Sequence, residues 1–181
     1  MATHTVVLTV ALRITDNEAR SALEAVRVKM GVGEVVGLAR EDVWSLEVDA
    51  PGADEAREAV ARLVEGTNLF ANPNKHRHSL DDQPLAPDEV AVLVSDRESG
   101  QAVSMLEAVR RSGDRSVVAA RRCARWRIRL RNPPSPQQPG LLDLIRSIAV
   151  AEGRTEGLLA NPHSQTVTAV LPWGDENPLV T

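Results

Sequence analysis

Cys123 carries the side chain best suited to nucleophilic chemistry in this sequence. It is the one cysteine of the chain, and Arg121, Arg122 and Arg125 around it would favour the reactive thiolate. A catalytic cysteine also needs a base and an oxyanion site, and no signature of a known cysteine enzyme is present. We therefore expect no catalytic role for Cys123. A single cysteine also excludes an internal disulfide framework.

Two histidines have a spacing that could hold a metal ion. His76 and His78 are two residues apart, so on a strand their side chains would point the same way. No third ligand stands at a recognisable spacing, and Lys75 and Arg77 would repel a cation. Gly31-Val32-Gly33 lacks the third glycine of a phosphate-binding loop and predicts a turn. The sequence therefore predicts neither a metal nor a cofactor, and no set of catalytic residues can be named.

A five-residue segment occurs twice in the chain. Leu69-Phe70-Ala71-Asn72-Pro73 returns as Leu158-Leu159-Ala160-Asn161-Pro162. Asparagine tolerates the left-handed conformation that closes a helix, and proline cannot continue one. Each copy therefore predicts the end of a helix ahead of a strand. The recurrence indicates a tandem repeat.

Arginine alternates with apolar residues from position 125 to position 131. On a strand, Trp126, Ile128 and Leu130 would face the helices, and the arginines would share the opposite face with Glu47 and Asp49 of the first half. A merely solvated face is the alternative, because exposed ion pairs contribute only about 0–1 kcal/mol. We interpret the face as complementary to carboxylates, either of the other half or of a partner subunit. Its members are Arg125, Arg127, Arg129 and Arg131.

Composition restricts the classes of function. The chain has 181 residues, a net charge of −4 and 43% hydrophobic residues, which is ordinary for a globular protein. The acidic balance gives no reason to expect nucleic acid, and aromatic residues at 2% disfavour base stacking. No run of about twenty apolar residues and no signal pattern is present. We expect a cytoplasmic protein that binds neither nucleic acid nor membrane.

Both halves of the chain predict the same elements. Residues 102–110 overlay residues 19–27 and differ only at the second and fourth positions. In the first half we expect a polar turn at Arg40-Glu41-Asp42 between two short strands. The full expected order is a strand at 6–12, a helix begun by residues 15–17, strands at 35–36 and 43–49, a helix from 51 to 73 and a strand at 74–80.

These elements predict an α+β fold. Residues 1–82 form the first repeat, 83–88 a linker, 89–172 the second repeat and 173–181 a loose C-terminal tail. Each repeat reads strand–helix–strand–strand–helix–strand, the ferredoxin-like (βαββαβ) arrangement. Apolar residues on both faces of the predicted sheets indicate that the repeats pack on each other as an intrachain pseudo-dimer.

The order of elements and the repeated helix-end motif resemble the PurS family, the small subunit of phosphoribosylformylglycinamidine (FGAM) synthase in purine biosynthesis. The family motif is Leu-Leu-Ala-Asn-Pro, which residues 158–162 match in full and residues 69–73 match with Phe70 in second position. The acid and the aromatic residue that follow in the family are absent from both copies. Family members are usually a single repeat that dimerises, so this chain resembles a tandem duplication.

The resemblance implies a non-catalytic subunit of an ATP- and glutamine-dependent ligase. Such a subunit holds a glutaminase against a synthetase, so that ammonia passes between them. Candidate partner contacts are the two Asn-Pro motifs, Asn72, Pro73, Asn161 and Pro162, together with the four arginines above. A stand-alone tandem ferredoxin-like protein that binds a small regulatory ligand is the alternative, and self-association is also open.

Overall fold

The computed structural model describes residues 2–81, 83–98, 100–152 and 157–180. The predictions made above for Asp82, residues 153–156 and Thr181 concern positions outside these described residues. Within them the chain forms an α+β fold of seven strands and four helices. The strands are β1 (Ala2–Leu12), β2 (Val35–Ala50), β3 (His76–Ser79), β4 (Glu89–Asp96), β5 (Val117–Leu130), β6 (Gln165–Val170) and β7 (Glu176–Val180). The helices are α1 (Asn17–Glu24), α2 (Ala53–Gly66), α3 (Gly100–Arg111) and α4 (Leu141–Ala149).

The strands form a sheet in the order β3-β1-β2-β5-β4-β6-β7. β1 pairs antiparallel with β2 and β3, and β4 pairs antiparallel with β5 and β6. Alternate residues of β2 from Trp44 to Ala50 and of β5 from Trp126 to Leu130 are buried, as the sequence predicts, and Trp44 and Trp126 both lie in hydrophobic cores. The α+β class is therefore confirmed.

The predicted turn at residues 40–42 is wrong, because β2 is one continuous strand. Its polar residues pair with β1, where Val10 lies opposite Asp42. The side chains of β2 also find distant partners: Arg40 forms an ion pair with Glu18 (3.2 Å) and Asp42 with Arg122 (2.6 Å). These non-local pairs satisfy the charges without a turn. The strand–strand hairpin that the ferredoxin-like order requires is therefore not seen in this half.

Both predicted helix ends are also wrong. α2 ends at Gly66 and α4 at Ala149, well before Asn72 and Asn161. Among the described residues, only glycines have positive φ, so neither asparagine adopts the left-handed conformation. The apolar residues before the first asparagine pack as a loop instead. The Phe70 ring meets Trp44 edge-on, with 5.2 Å between ring centroids.

The predicted loose tail at 173–181 is in part a strand. β7 pairs antiparallel with β6, with Ala169 opposite Asn177, and Leu179 is buried in the core. Pro178 does not prevent this pairing, because β7 lies at the edge of the sheet and one of its sides needs no ladder donor.

Helix α1 begins as predicted but ends in a rarer geometry. The Asp16 carboxylate accepts hydrogen bonds from the backbone N–H groups of Glu18 and Ala19 (2.9 and 3.1 Å), a standard N-cap. After Glu24 the helix continues as a π-helical turn over Ala25–Lys29, and Gly31 (φ 72°) ends it.

The chain forms two compact units built from alternating segments. Unit 1 contains Met1–Ile14, Glu41–Asp82 and Glu98–Cys123; unit 2 contains Thr15–Arg40, Gln83–Arg97 and Ala124–Thr181. Val109 of α3 lies in the unit 1 core with Leu8 of β1. Val26, just beyond α1, lies in the unit 2 core with Ile145 of α4. Each half of the sequence therefore contributes its first helix to the unit that contains most of the other half.

Candidate functional site

The first Asn-Pro motif forms a closely hydrogen-bonded turn before β3. The side-chain Oδ1 of Asn72 accepts the N–H of Asn74 (2.9 Å), which is an Asx turn. The Asn72 carbonyl accepts the N–H groups of Lys75 (2.9 Å) and His76 (2.7 Å). The Asn72 N–H donates in turn to Nδ1 of His76 (3.0 Å). Four hydrogen bonds therefore converge on one asparagine.

The second Asn-Pro motif repeats this geometry before β6. Oδ1 of Asn161 accepts the N–H of His163 (3.0 Å), and its carbonyl accepts those of Ser164 (3.2 Å) and Gln165 (2.9 Å). The Asn161 N–H donates to Oε1 of Gln165 (2.9 Å). The two turns match bond for bond, with a glutamine oxygen in place of the imidazole nitrogen.

An arginine that follows the first strand of each half holds the corresponding turn. The backbone N–H of Arg13 donates to the Lys75 carbonyl (2.8 Å), and that of Arg97 donates to the Ser164 carbonyl (3.0 Å). Their guanidinium groups reach further carbonyls of the same turns, His76 O at 2.8 Å and Pro162 O at 3.4 Å. Sequence reasoning missed both arginines, although each stands directly after its apolar strand.

The motifs divide into a buried part and a surface part. The residues before each asparagine are buried: Phe70 and Ala71 in unit 1, Leu159 and Ala160 in unit 2. The Asn-Pro pairs lie at the surface. Asn161 and Pro73 are exposed, whereas Asn72 and Pro162 are half-buried. The apolar part anchors the turn, and the Asn-Pro part is available to a partner.

The arginine-rich strand β5 has the predicted alternation, but its four candidate arginines differ in exposure. Trp126, Ile128 and Leu130 are buried, as predicted. Arg125 is also buried, with only 7% of its surface exposed. Arg129 and Arg131 are exposed, and Arg131 Nη2 donates to the Gly33 carbonyl (3.2 Å). The four candidates therefore do not form one uniform exposed surface.

Arg127 is engaged by an acid of its own half. Its Nη2 and Nε both donate to Oε2 of Glu89 on β4, at 2.5 and 3.0 Å, and Nη2 also donates to the Pro84 carbonyl (3.0 Å). Burial by itself would raise the pKa of Glu89. This effect of burial is outweighed by the hydrogen bonds that Glu89 accepts from Arg127 and from the Ala86 N–H, and by the charges of Arg127 and Arg129. Together they hold the pKa of Glu89 below its ordinary value. This cluster fixes the segment before β4 to the sheet.

Glu47 and Asp49, predicted to share a face with these arginines, have other partners. Oδ1 of Asp49 accepts the Thr3 hydroxyl (2.7 Å), and Glu47 lies 3.9 Å from Arg121. Arg122 meets Asp42 on the same pair of strands. Glu47 and Asp42 are thus met by Arg121 and Arg122 of β5, and Asp49 by Thr3; Arg127 contacts none of these acids.

Arginine and tryptophan exchange partners between the two halves of the sequence. Arg122 of the second half lies over the ring of Trp44, 6.0 Å from its centroid, inside unit 1. Arg40 of the first half lies over the ring of Trp126 at 5.8 Å, inside unit 2. Both arginines stand four residues before the tryptophan of their own half. Each unit therefore contains one arginine–tryptophan contact between residues of the two halves of the sequence.

The residues considered for chemistry are occupied in other ways. Nδ1 of His76 accepts the Asn72 N–H, so this ring nitrogen already has a partner. Cys123 is half-buried on β5, and its neighbour Arg122 pairs with Asp42. In the part of the chain that the structure describes, no three histidine, cysteine, aspartate or glutamate residues cluster as a metal site would require.

One groove is relevant to the ligand-binding alternative. It lies in unit 1 along α3, has a volume of about 390 Å³ and is floored by Trp44. That volume is within the range of small-molecule sites. The other lining residues are Leu69, Gly100, Gln101, Ser104, Met105 and Ala108.

No family model matches this chain, and no curated protein is significantly similar to it. None of the described helices combines the length and the apolar character that crossing a bilayer requires.

Proposed function

We propose that this chain is a non-catalytic assembly subunit of the FGAM synthase complex, which bridges the glutaminase and the synthetase subunits in the cytoplasm. The observation that carries the proposal is the pair of Asn-Pro turns, which share four hydrogen bonds and an anchoring arginine. In the PurS-like interpretation, each turn is the contact element of one repeat.

The proposal includes the finer fold assignment, a tandem pair of ferredoxin-like repeats that form an intrachain pseudo-dimer. The reciprocal Arg122–Trp44 and Arg40–Trp126 stacking supports it, as does the placement of α1 and α3 in exchanged units. In this view, the hairpin of each ancestral repeat has been straightened into one long strand, β2 or β5.

The two turns differ in charge, which suits a protein that holds two different partners. The first is followed by Lys75, Arg77 and His78, and the second by His163 and Ser164. A basic surface and a nearly neutral surface favour different partners, because a charged surface binds best to a partner of opposite charge. A fused chain can carry both, whereas a symmetric dimer would present the same turn twice.

Co-purification with the two partner subunits, in the presence of glutamine and nucleotide, tests the proposal. We expect wild-type protein to co-migrate with both. Replacing Asn72-Pro73 by Ala-Ala should weaken contact with one subunit, and replacing Asn161-Pro162 by Ala-Ala should weaken contact with the other. Each double substitution serves as the control for the other. No co-migration of the wild-type chain under any ligand condition would refute the bridging function.

The ligand-binding alternative is favoured by the groove along α3. An aromatic floor at Trp44 and the adaptable side chain of Met105, with Ser104 and Gln101 as polar groups, are typical of a site for a small, partly apolar molecule. Thermal-shift measurements with amino acids and nucleotides test this function. Stabilisation of the wild type that Ala108→Trp abolishes would favour the alternative over the assembly subunit.

A further inference from the structure

The solvent face of α1 and its π-helical turn carries an unusual apolar group. Val28 is 75% exposed, the highest value among the large hydrophobic residues that are exposed in the described chain. It borders a groove in unit 2 of about 420 Å³. The groove is lined by Arg20, Leu23, Glu24, Arg27, Val28 and Gly33.

Val28 lies on the side of the π-helical turn that faces away from the core. The N–H of Met30 donates to the Ala25 carbonyl (3.0 Å), five residues back instead of four. Val26 is fully buried in the unit 2 core. Residues two positions apart on a helix lie on nearly opposite sides of it, so Val28 faces solvent. Wide turns of this kind are rare and are frequent at functional sites.

The far wall of the groove is held in place by hydrogen bonds. After Gly31, the Gly33 N–H donates back to the Gly31 carbonyl (3.1 Å). The Gly33 carbonyl accepts Nη2 of Arg131 (3.2 Å), and the Arg131 N–H donates to the Glu34 carbonyl (2.8 Å). The groove is therefore preformed, and a partner would not have to order it.

The lining of the groove carries a net positive charge, with two arginines and one glutamate. Arg20 and Arg27 flank Leu23 and Val28, and neither arginine has an ion-pair or hydrogen-bond partner among the described side chains. Arg40 on β2, by contrast, is paired with Glu18. The one acid in the lining is Glu24. Unpaired arginines beside an exposed aliphatic group are the composition of an interface anchor.

This groove is specific to the first repeat. At the equivalent positions of α3, valine (Val103) replaces Arg20 and arginine (Arg111) replaces Val28. The repeat fold therefore does not require an apolar residue between two arginines at this place. Of the two helices compared, α1 has this arrangement and α3 does not, so we place the docking site on α1.

We propose that this groove docks an acidic, amphipathic segment of a partner protein. An aliphatic side chain of the partner enters beside Leu23 and Val28, and flanking carboxylates pair with Arg20 and Arg27 in fork geometry. The inference rests on the proposed function, since it takes the partner to be the synthetase or the glutaminase subunit. The groove then adds a third contact surface to the two Asn-Pro turns.

Titration calorimetry with each purified partner subunit tests this docking site. The groove variant carries Arg27→Glu and Val28→Asp. The matched control carries Arg110→Glu and Val103→Asp on the exposed face of α3, so both variants make the same chemical changes. Arg20→Glu is a second groove variant, and an acid near the start of α1 is compatible with the helix dipole. Melting temperatures verify that all variants remain folded.

We expect the groove variants to raise Kd for one subunit by roughly tenfold or more, while the control stays within about twofold of the wild type. The wild-type affinity should also fall as salt is added. Equal binding by the groove variant and the wild type would overturn the docking site while leaving the bridging function intact. A wild-type chain that binds neither subunit refutes the bridging function and this inference with it. If the groove instead binds a second copy of this chain, the wild type would be a dimer and the groove variants would be monomers. That result would also overturn the inference.

Discussion

His76 and Gln165 take the same place in the two halves of this protein. Nδ1 of His76 accepts the N–H of Asn72 at 3.0 Å, and Oε1 of Gln165 accepts the N–H of Asn161 at 2.9 Å. The acceptor is a ring nitrogen in the first turn and an amide oxygen in the second. A side-chain acceptor four residues after the asparagine is therefore a shared part of both turns.

We expect His76→Gln to stay within about 0.5 kcal/mol of the wild type in unfolding free energy, because a glutamine oxygen accepts the equivalent N–H in the second turn. His76→Ala removes the acceptor of the Asn72 N–H and should cost about 1 kcal/mol. Chemical denaturation of the three proteins under one set of conditions measures the difference. Equal stability of His76→Ala and the wild type would contradict this role of the acceptor.

Replacing either turn asparagine by alanine should cost about 1 kcal/mol of unfolding free energy, because the Asx bond is lost. Asn72→Ala loses the bond to the Asn74 N–H, and Asn161→Ala the bond to the His163 N–H. Aspartate retains the acceptor oxygen, so Asn72→Asp and Asn161→Asp are the controls. Urea unfolding measures the cost. An alanine variant as stable as its aspartate control would contradict this structural role of the Asx bond.

The Glu89–Arg127 pair should make stability depend on pH in the acid range. The pKa of Glu89 in the folded protein is below its ordinary value of 4.5. The contribution of this group is therefore fully present above pH 4.5 and is lost as the pH falls through the lowered folded value. We expect Glu89→Gln to flatten the stability profile in that window. A profile identical to that of the wild type, in thermal melts at closely spaced pH values, would exclude this role.

Arg127 and Arg129 should respond differently to charge reversal. Arg127→Glu leaves the half-buried Glu89 without its partner and places a second carboxylate beside it, which we expect to cost about 1–3 kcal/mol. Arg129→Glu changes an exposed side chain and should cost far less. Adding Glu89→Arg should restore stability to Arg127→Glu. Adding Glu47→Arg with Asp49→Arg should not, since those acids contact Arg121 and Thr3.

The exchange of helices predicts the behaviour of separated halves. Residues 1–82 lack α3, whose Val109 fills the unit 1 core, so this half should self-associate or aggregate when expressed alone. Co-expression with residues 83–181 should give a soluble complex, because each half supplies the helix that the other core lacks. Size-exclusion chromatography and dye binding measure both states. A monomeric, dye-negative 1–82 fragment would contradict the exchange.

Local patterns in the sequence determine much of this fold. Period-two alternation predicts that Trp126, Ile128 and Leu130 are buried, and the Asp16 cap predicts where α1 begins. The apolar stripe of α2 is also readable from sequence, with Ala56, Val60, Leu63 and Val64 all buried. These features depend on neighbours within a turn or two of the chain, and such interactions leave a signature in sequence spacing.

The tertiary structure decided what depends on distant partners. The polar run at 40–42 remains in a strand because Glu18 and Arg122 neutralise Arg40 and Asp42 from elsewhere in the chain. The two Asn-Pro turns also combine local features with contacts to distant residues. The sequence alone identified the repeated Asn-Pro motif, but read it as a helix stop. The anchoring arginine and the exchange of α1 and α3 come from contacts between segments far apart in the sequence, and no local pattern records those contacts.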